Sequence, residues 1–303
     1  MRVRRQQLNA IAEPIERLAV IIVAYNSASA LSGLLDSIQE HRTEVAHLDV
    51  YVIDNDSRDD SVTIAQAHPV GAFVVPTFHN GGYAAGINIG AALAGPHAHL
   101  LILNPDTRLQ PGTLRLLLTH AIKQRVGVAV PKLLQEDGTY APSIRREPSL
   151  VTGWSDALVG TAIAARMGLG EIVANKDLYA KGGEIEWASG AALLISATAR
   201  QTVGDWDETF FLYSEEVDYF QRVRAAGFNP AYVAEARVAH EGGDYHENIY
   251  LSALMTTNRI RYFRRHHGPL ATWAFRMALI FGSTIRAPLG RGHRAALRAA
   301  LST

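Results

Sequence analysis

The sequence has no cysteine, and none of its apolar stretches reaches the length of a membrane-spanning helix. Without thiols the chain forms neither a disulfide nor a thiolate metal site, so a bound metal needs carboxylate, imidazole, carbonyl or phosphate ligands. The most apolar stretch, residues 270–285, is interrupted by Arg276 and is shorter than the ~20 residues that a span requires. Residues 1–7 are basic but are not followed by the apolar core of a signal peptide, which predicts a cytoplasmic protein.

Acidic residues are absent from residues 248–303, although the whole chain carries 29 acidic and 29 basic side chains. This segment instead has nine arginines, at positions 259, 261, 264, 265, 276, 286, 291, 294 and 298. The chain is therefore predicted to consist of an acidic body and a basic extension.

Large apolar side chains such as Trp273 and Phe281 lie between these arginines, which favours contact with an anionic membrane surface at its inner face. The alternative is a set of helices packed against the acidic body, or against a second copy of the chain, with arginine stems covering apolar surface. Nucleic acid is not an expected partner, because the body is acidic and no binding motif is present.

Short β-branched stretches alternate with segments of helical periodicity, and 48% of the residues are apolar. Strands are predicted at residues 18–24, 48–53, 72–76, 99–103, 127–130, 188–195, 231–233 and 236–239. Helices are predicted at residues 30–38, 61–67, 86–93, 111–123 and 215–226, and again beyond residue 248. Residues 136–183 are weakly patterned and are interpreted as a long excursion over the sheet. The alternation predicts an α/β fold with a mostly parallel central sheet flanked by helices, binding its ligand at strand carboxyl ends.

Polar loops follow the first two predicted strands. Ala24, Tyr25 and Asn26 come after the first strand, and Asp54 and Asn55 come after the second. Because neighbouring strand ends place these loops side by side, a carboxylate there can accept hydrogen bonds from a base imide or a ribose hydroxyl. The alternative is that aspartate and asparagine serve only as turn and helix-capping residues.

A glycine-rich loop opens the predicted helix at residues 86–93. It contains Asn80, Gly82 and Tyr83, and Asn88 lies on the helix itself. Glycine lets a backbone approach a ligand closely, and a helix N-terminus favours anionic groups. The loop is not a dinucleotide fingerprint, because Tyr83 stands where the second glycine belongs.

Asn104 and Asp106 follow the predicted strand at residues 99–103. A carboxylate at the end of a central strand can hold Mg²⁺ or Mn²⁺ between two phosphates. An ordinary strand-ending turn is the alternative, since Asn-Pro and Asp-Thr pairs are typical of turns.

These four loops, AYN, VIDNDSRDDS, NGGYAAGIN and LLILNPDT, resemble in this order the nucleotide-sugar half of family 2 glycosyltransferases. The resemblance implies a GT-A fold in which the loop residues named above bind a nucleotide-sugar donor. It also implies that Asp106 is the metal-binding acid of the family's D-x-D motif, with Mn²⁺ or Mg²⁺ as cofactor. Asn104 replaces the first acid of that motif, as is familiar in the rhamnosyltransferase-like branch. His240, after the last predicted strand, resembles the histidine that completes the metal site.

The second half of the chain continues the resemblance. Residues 187–195 look like the strand that lines the acceptor cleft, which implies that Trp187, Ser189 and Gly190 bind the acceptor. Residues 207–218 are similar to the family's acceptor-side motif, whose second acid is the catalytic base. That acid corresponds to Glu216, with Glu215 as the alternative base, and Asp218 is assigned to the acceptor site.

These acids and histidines also have interpretations that do not involve a glycosyltransferase. Three acids in the first turn of a helix are also favoured by the helix dipole alone. A zinc-protease motif beginning at His240 fails because Asp244 occupies the second histidine position, and His246 is interpreted as a surface residue.

The resemblance implies an inverting, metal-dependent glycosyltransferase that acts in cell-wall or surface polysaccharide synthesis. The expected donor is dTDP-rhamnose, or otherwise a UDP-hexose, and the expected acceptor is a hydroxyl of a glycan or of a polyprenyl-diphosphate-linked sugar. Residues 1–246 are predicted to form the catalytic domain, with a nucleotide-binding half at 18–130 and an acceptor half at 131–246, followed by a helical extension at 247–303.

Two other functions were weighed against this one. A nucleotide-dependent oxidoreductase would need a phosphate fingerprint after the first strand, and that loop has none. A catalytically inactive scaffold that binds sugar nucleotides is disfavoured because both Asp106 and Glu216 are present.

Overall fold

A computed structural model describes residues 17–123, 126–241 and 248–303. The basic segment at residues 1–7, His246 and the domain boundary after residue 246 lie outside these described residues. The strands are β1 (Arg17–Ala24), β2 (His47–Asp54), β3 (Phe73–Pro76), β4 (His99–Leu103), β5 (Thr107–Leu109), β6 (Val126–Leu134), β7 (Ile144–Arg145), β8 (Gly183–Glu184), β9 (Trp187–Ala188), β10 (Ala192–Ile195) and β11 (Asn229–His240).

Helices cover both faces of these strands and form the end of the chain. They are α1 (Ala28–His41), α2 (Ser61–Ala67), α3 (Tyr83–Ala94), α4 (Thr113–Lys123), α5 (Leu150–Val159), α6 (Thr161–Arg166), α7 (Lys176–Lys181), α8 (Ala197–Val203), α9 (Glu215–Ala225), α10 (Ile249–His266), α11 (Pro269–Arg286) and α12 (Arg291–Ser302).

The described strands form one large mixed sheet in the order β3-β2-β1-β4-β10-β6-β11-β5, with β8 beside β11. Strands β1 to β4 are parallel, β10 is antiparallel to both of its neighbours, and β11 is parallel to β6. A separate two-stranded sheet pairs β7 with β9. The parallel part therefore gathers the ends of β1, β2 and β4 at one edge.

Strand β1 explains why the sheet has a core on each face. Its alternate residues point to opposite sides, so Val20 and Ile22 belong to one apolar layer while Ile21 and Val23 belong to the other. Helices α1 and α4 cover the first layer, and α3 and α9 cover the second. Because both faces are covered, the strand reads as a continuous apolar stretch rather than an alternating one.

Helix α3 lies unusually close to β1. A methyl group added at Gly86 would lie 2.6 Å from Val23, and one at Gly90 would lie 2.6 Å from Ile21. These distances are far below van der Waals contact, so the two glycines permit the close packing. The glycine-rich loop that precedes α3 is thereby held at the end of the sheet.

The structure differs from the sequence-based prediction in three segments. The strand predicted at 188–195 is divided, since β9 lies in the small sheet and β10 lies in the large one. The strands predicted at 231–233 and 236–239 are one strand, β11, with a shift in register between Val233 and Arg237. Residues 136–183, interpreted as a long excursion over the sheet, contain elements that were not predicted, namely β7 and helices α5, α6 and α7.

Helix α5 shows why the middle segment was misread. Its N-cap Ser149 forms a capping box with Thr152, which defines the helix start. The helix packs against α11, yet Val151 and Leu158 on its other side remain exposed. Apolar residues on both sides hide the helical period on which the sequence interpretation depends.

The predicted helical extension is confirmed as helices α10, α11 and α12. Its packing is apolar at the centre, where the rings of Phe263 and Phe275 stack with centroids 4.1 Å apart. Helix α10 also contacts the body, since Asn258 donates hydrogen bonds to the carbonyl oxygens of Phe210 and Leu212. Within the described part of the chain, no helix has both the length and the apolarity needed to cross a membrane.

Candidate active site

The loops after β1 and β2 are joined by backbone-to-side-chain hydrogen bonds. The Asn26 amide donates to Ser57 Oγ at 2.9 Å, and the Arg58 amide donates to Asn26 Oδ1 at 2.8 Å. The Asn55 amide donates to the carbonyl of Ala24 at 2.8 Å. Asn26 adopts the left-handed conformation that asparagine tolerates, while Tyr25 is 51% exposed. The loop geometry is thus fixed and the Tyr25 ring remains accessible to a ligand.

Asp54 is buried at the end of β2 with half of its carboxylate unpaired. Its Oδ2 accepts a hydrogen bond from the Ser57 amide at 3.0 Å, whereas Oδ1 has no partner among the described residues. The adjacent Asn55 donates from Nδ2 to the carbonyl of Gly82 at 2.9 Å. A buried acceptor without a partner is costly, so Asp54 fits a site whose ligand supplies the missing donor.

The glycine-rich loop packs directly on the loop that precedes α9. The Tyr83 amide donates to the carbonyl of Phe211 at 2.7 Å, and a methyl group at Gly82 would lie 2.3 Å from that same oxygen. Gly82 also has φ of 89°, which disfavours any other residue. Asn80 Oδ1 accepts a hydrogen bond from the Gly82 amide at 3.0 Å, which holds the turn.

Tyr83 connects the donor side to the predicted acceptor strand. Its hydroxyl lies 2.8 Å from Asn104 Oδ1 and 3.1 Å from the carbonyl of Gly190. The Asn104 amide donates to the carbonyl of Ala191 at 2.9 Å. Asn104, at the position that resembles the first acid of the D-x-D motif, therefore orients the Tyr83 hydroxyl and fixes its own loop to the backbone at Ala191.

Asp106 and His240 come together because β5 and β11 pair antiparallel, with Thr107 opposite His240. His240 Nε2 lies 3.3 Å from Asp106 Oδ2, yet it is buried without a well-formed hydrogen bond. Two donor atoms that each lie about 2.1 Å from one octahedral ion are about 3 Å apart, so the pair suits adjacent positions around a divalent cation.

The surroundings of Asp106 favour the ionised carboxylate that a metal ligand requires. Burial by itself would raise the pKa of Asp106, but His240 and, more weakly, Arg108 reverse the effect and hold the pKa below its ordinary value. The described residues contain no cluster of three or more histidine, aspartate or glutamate side chains that could hold a metal. A cation at this pair would therefore need its remaining ligands from a bound diphosphate and water.

One cavity of about 420 Å³ brings eight of the predicted site residues together. Its wall contains residues from both predicted halves of the site: Tyr83, Asn104, Trp187, Ser189, Gly190, Glu215, Glu216 and His240. The loops around Asn26, Asp54 and Asn80 lie outside this lining and connect to it through Gly82 and Tyr83. The cavity lining thus contains His240 and the two glutamates, while Asp106 lies outside the lining, in contact with His240.

Glu215 and Glu216 are neighbours in the sequence but differ in environment. Glu215 is 1% exposed, neither carboxylate oxygen makes a well-formed hydrogen bond, and burial together with the charge of Glu216 raises its pKa well above the ordinary value. Burial therefore favours the neutral form of Glu215.

Glu216 is half-buried and accepts a hydrogen bond from the Gly190 amide at 3.3 Å. Burial raises its pKa, while this amide and Arg145 favour the ionised form. A methyl group at Gly190 would lie 2.9 Å from Glu216 Oε1, so this glycine makes room for the carboxylate. Of the two acids, Glu216 is the one suited to accept a proton.

Of the predicted site residues outside the cavity lining, Asn88 and Asp218 are engaged by other parts of the protein. Asn88 exchanges hydrogen bonds with the backbone of Trp206 and donates to Glu208, which fixes α3 to the segment before α9. Asp218 pairs with Arg222 at 2.9 Å on another side of α9. Trp187 lines the cavity, and its ring nitrogen donates to the carbonyl of Arg146 at 2.7 Å.

The cavity wall also contains residues that the sequence analysis missed: Arg145, Glu171, Leu251, Met255, Arg259 and Tyr262. Arg145 and Glu171 lie in the weakly patterned middle segment, where no motif marks them. The last four belong to α10 and recur at intervals of four, four and three residues, the spacing of one helical face. That spacing is the sequence feature that would have shown the extension facing the site.

Comparisons with known proteins show what the sequence of the chain is similar to. Residues 19–166 match the family model described as glycosyl transferase family 2. The N-acetylglucosaminyl-diphospho-decaprenol L-rhamnosyltransferase of Mycobacterium tuberculosis (strain CDC 1551 / Oshkosh) is 29% identical over 301 residues, which cover 93% of this chain and 97% of that relative.

Solved structures show the same fold at low sequence identity. GalNAc-T7 with UDP, GalNAc and Mn²⁺ superposes with a TM-score of 0.58 at 16% identity, covering 83% of this chain, which spans only 48% of that one. The mannosyltransferase PcManGT of Pyrobaculum calidifontis, in complex with GDP-Man and Mn²⁺, gives a TM-score of 0.57 at 15% identity over 94% of this chain and 86% of that one. The chain thus has the GT-A fold, its residues 19–166 match glycosyl transferase family 2, and its sequence is similar to that of a rhamnosyltransferase.

Proposed function

We propose that this glycosyltransferase moves L-rhamnose from dTDP-rhamnose to a sugar hydroxyl of an N-acetylglucosaminyl-diphospho-polyprenol, in the synthesis of a cell-wall or surface polysaccharide. The observation that carries the proposal is the single cavity in which His240 and Asn104 share a wall with Glu216. The mycobacterial relative, similar over nearly its whole length, is named for rhamnose transfer to such an acceptor. The loops around Asn26, Asp54 and Gly82 are assigned to the donor nucleotide.

In the proposed reaction, Glu216 accepts the proton of the attacking hydroxyl while the new glycosidic bond forms and the bond to the donor diphosphate breaks. An acceptor hydroxyl is a weak nucleophile until its proton is removed, which is why a base is needed. The raised pKa of Glu216 makes its carboxylate a stronger base than an exposed glutamate. Attack from the face opposite the diphosphate inverts the anomeric centre.

Asp106 and His240 are assigned as ligands of a divalent cation, Mn²⁺ or Mg²⁺. When bound, such a cation stabilises the negative charge that grows on the leaving diphosphate. Support comes from the ionised state of Asp106 and from the Mn²⁺ in the two structural relatives. Asn104 is assigned to hold Tyr83 in place rather than to bind the metal.

The proposal is tested with purified protein and a synthetic lipid-linked N-acetylglucosaminyl diphosphate. We expect transfer from dTDP-rhamnose in the presence of Mn²⁺ or Mg²⁺ and loss of transfer in a chelator. Transfer only from UDP-galactose, UDP-glucose or UDP-N-acetylglucosamine would replace the proposed donor. Transfer that persists in the chelator would contradict metal dependence. Nucleotide-sugar binding without transfer to any acceptor would favour an inactive scaffold.

We also propose that the extension rests on an anionic membrane surface, although most of its arginines have other partners. Within the described chain, Arg259 and Arg265 pair with Glu171 and Asp207, and Arg261, Arg276, Arg286 and Arg294 donate to backbone carbonyls. Support comes instead from apolar side chains of α11 that are exposed, namely Leu270 at 83%, Trp273 at 62% and Ile285 at 54%.

Liposome flotation tests this contact. The protein is expected to float with phosphatidylglycerol vesicles at low salt and less so at high salt, because screening weakens charge attraction beyond ~10 Å at 0.1 M. Changing Leu270 and Trp273 together to serine should reduce flotation, whereas changing Phe73 and Phe78, exposed on the body, should not. Wild-type protein that stays at the bottom of the gradient at low salt would refute the proposal.

A further inference from the structure

Two guanidinium groups share one end of the cavity with a single carboxylate. Arg145 comes from β7, Arg259 from α10, and Glu171 lies in the segment between α6 and α7. Arg259 pairs with Glu171, whose side chain is only 14% exposed. The three residues therefore form a cluster with one more positive charge than negative charge.

This excess charge lies in a poorly solvated place. Burial lowers the pKa of Arg145, Glu171 opposes that shift, and the like charge of Arg259 adds to it. Holding an uncompensated charge away from water is unfavourable unless another group neutralises it. Glu216 also interacts with Arg145, and Asp156 interacts with Arg259, so these two acids offset part of the excess charge before an acceptor binds.

The two arginines also retain unused hydrogen-bond donors. Arg259 Nε is buried without a partner among the described residues. Arg145 donates from Nη1 to the carbonyls of Pro142 and Ile144, which orients the guanidinium and leaves its other nitrogens available. A planar guanidinium presents paired donors that match the oxygens of a phosphate group.

This cluster and the pair assigned to the donor diphosphate are built from different elements. Asp106 and His240 meet where β5 and β11 pair, whereas the arginines come from β7 and α10. Leu251 and Met255 lie on the same face of α10 as Arg259 and give the same cavity an apolar lining. A lipid diphosphate has an anionic group next to an apolar chain, and it therefore matches a site with arginines next to apolar side chains.

We infer that Arg145 and Arg259 form a subsite for the diphosphate of the acceptor, with Leu251 and Met255 contacting the first carbons of its lipid. This inference rests on the proposed function, because it assumes an acceptor of the sugar-diphospho-lipid class. In this arrangement Glu171 holds the Arg259 guanidinium in place, and the acceptor sugar extends from the diphosphate toward Glu216.

The kinetic test uses Arg259→Gln, with Arg259→Lys as a variant that keeps the charge but loses the paired donors. Arg264→Gln, an exposed arginine on the same helix, is the matched control. With N-acetylglucosaminyl-diphospho-lipid, the KM of Arg259→Gln should rise about 10- to 100-fold, the range expected for loss of a charge-assisted hydrogen bond. Arg259→Lys should fall between it and wild type. The KM for the donor should not change.

A second acceptor, an alkyl glycoside of N-acetylglucosamine without diphosphate, separates this role from a structural one. Its KM should be high for wild type and unaltered by Arg259→Gln, since no diphosphate is present to lose a contact. An equal KM increase for both acceptors would show a general disturbance of the cavity and overturn the subsite. An unchanged KM for the diphosphate acceptor would overturn it as well, while leaving rhamnosyl transfer intact.

A binding measurement keeps the subsite testable if no transfer is found. Inorganic pyrophosphate is titrated calorimetrically in the presence of a chelator, so that no cation can recruit it to Asp106 and His240. Binding by wild type and Arg264→Gln that is lost in Arg259→Gln and in Arg145→Gln would support the subsite, even if the proposed acceptor is wrong. Binding that is equal in all four proteins, or absent from wild type, would overturn it.

Discussion

Two regions of the molecule are built in different ways: the edge of the sheet that we assign to the donor (the donor edge) and the end of the cavity that we assign to the acceptor (the acceptor end). At the donor edge, short loops follow successive strands and are held by hydrogen bonds between neighbouring loops, such as that from Asn26 to Ser57. At the acceptor end, Arg145, Glu216 and Arg259 come from three separate elements and meet only through packing and ion pairs. The first arrangement follows from local sequence, whereas the second depends on how distant helices dock. Substitutions in the two regions should therefore affect different properties of the enzyme.

The largest effect is expected at the acceptor end, from Glu216→Gln. Loss of a general base lowers turnover by ~10²–10⁴-fold, and the neutral amide keeps the shape of the side chain. Donor affinity, measured by calorimetry, should be unchanged because the nucleotide is assigned to the other region. The pH profile of wild-type kcat should rise as Glu216 loses its proton, and the midpoint should lie above that of an ordinary glutamate since its pKa is raised.

Glu215→Gln is the control for that substitution. Glu215 is held neutral, so an amide should retain most of the turnover. If Glu215→Gln were the more damaging of the two, the base would have to be reassigned to Glu215.

The next largest effect is expected at the donor edge, from Asp106→Asn. Replacing a metal ligand should weaken donor binding in Mn²⁺ at least about tenfold, the loss that even outer-shell changes produce at metal sites. Binding without the cation should change little, because the nucleotide loops are not altered. Asp205→Asn, an exposed site outside the cavity lining, serves as the control. Donor titrations in Mn²⁺ that coincide for wild type and Asp106→Asn would disprove the metal assignment.

A smaller effect should come from the contact that joins the two regions, at Gly82. Gly82 and Gly95 have nearly the same backbone conformation, with φ, ψ of 89°, 177° and 76°, 167°. A methyl group at Gly82 would meet the Phe211 carbonyl, while nothing lies within 4 Å at Gly95. Both alanine variants lose stability through backbone strain, and Gly82→Ala should lose a further ~1–3 kcal/mol from the clash.

Urea unfolding measures both free energies. Equal losses at the two glycines would show that the donor loop shifts away from Phe211 without cost. In that case the close packing of Gly82 against Phe211 would not restrict the residue at position 82.

The smallest effect concerns stability and pH at Glu215. Its pKa is raised in the folded protein, so the folded state holds the proton to higher pH than the unfolded state does. Its contribution to stability is complete below the unfolded pKa of about 4.3 and declines as pH rises through the folded pKa, by up to about 1.4 kcal/mol per pH unit. Glu215→Gln removes this decline.

Denaturation curves of wild type and Glu215→Gln from pH 5 to pH 8 should therefore diverge, with the variant gaining relative stability at the higher pH. Glu235→Gln, an exposed substitution on β11, should follow wild type. Curves for Glu215→Gln that stay parallel to wild type across this range would contradict the neutral assignment.

Much of the donor edge could be predicted because its patterns are local. The strands at β1, β2 and β4 read as continuous apolar stretches, and each is followed at once by the polar residues assigned to the site. Asn88 shows the limit of this approach, since its position beside the glycine loop suggested ligand binding while its amide is engaged with Trp206. The direction of a side chain depends on its position around the helix, and local sequence does not show which residues it will contact.

The sequence by itself determined the GT-A fold, the resemblance to family 2 glycosyltransferases, the polar loops at the strand ends and the pair of adjacent glutamates. These follow from short motifs and from apolar periodicity, which act within a few residues of the chain. Only the tertiary structure decided that α10 lines the cavity, that Arg145, Glu171 and Arg259 meet there, and that Glu215 is buried while Glu216 is half-buried. Those outcomes depend on contacts between residues far apart in the sequence, such as Glu171 and Arg259. The physical reason is that burial and charge pairing arise when whole elements pack, so no local pattern encodes them.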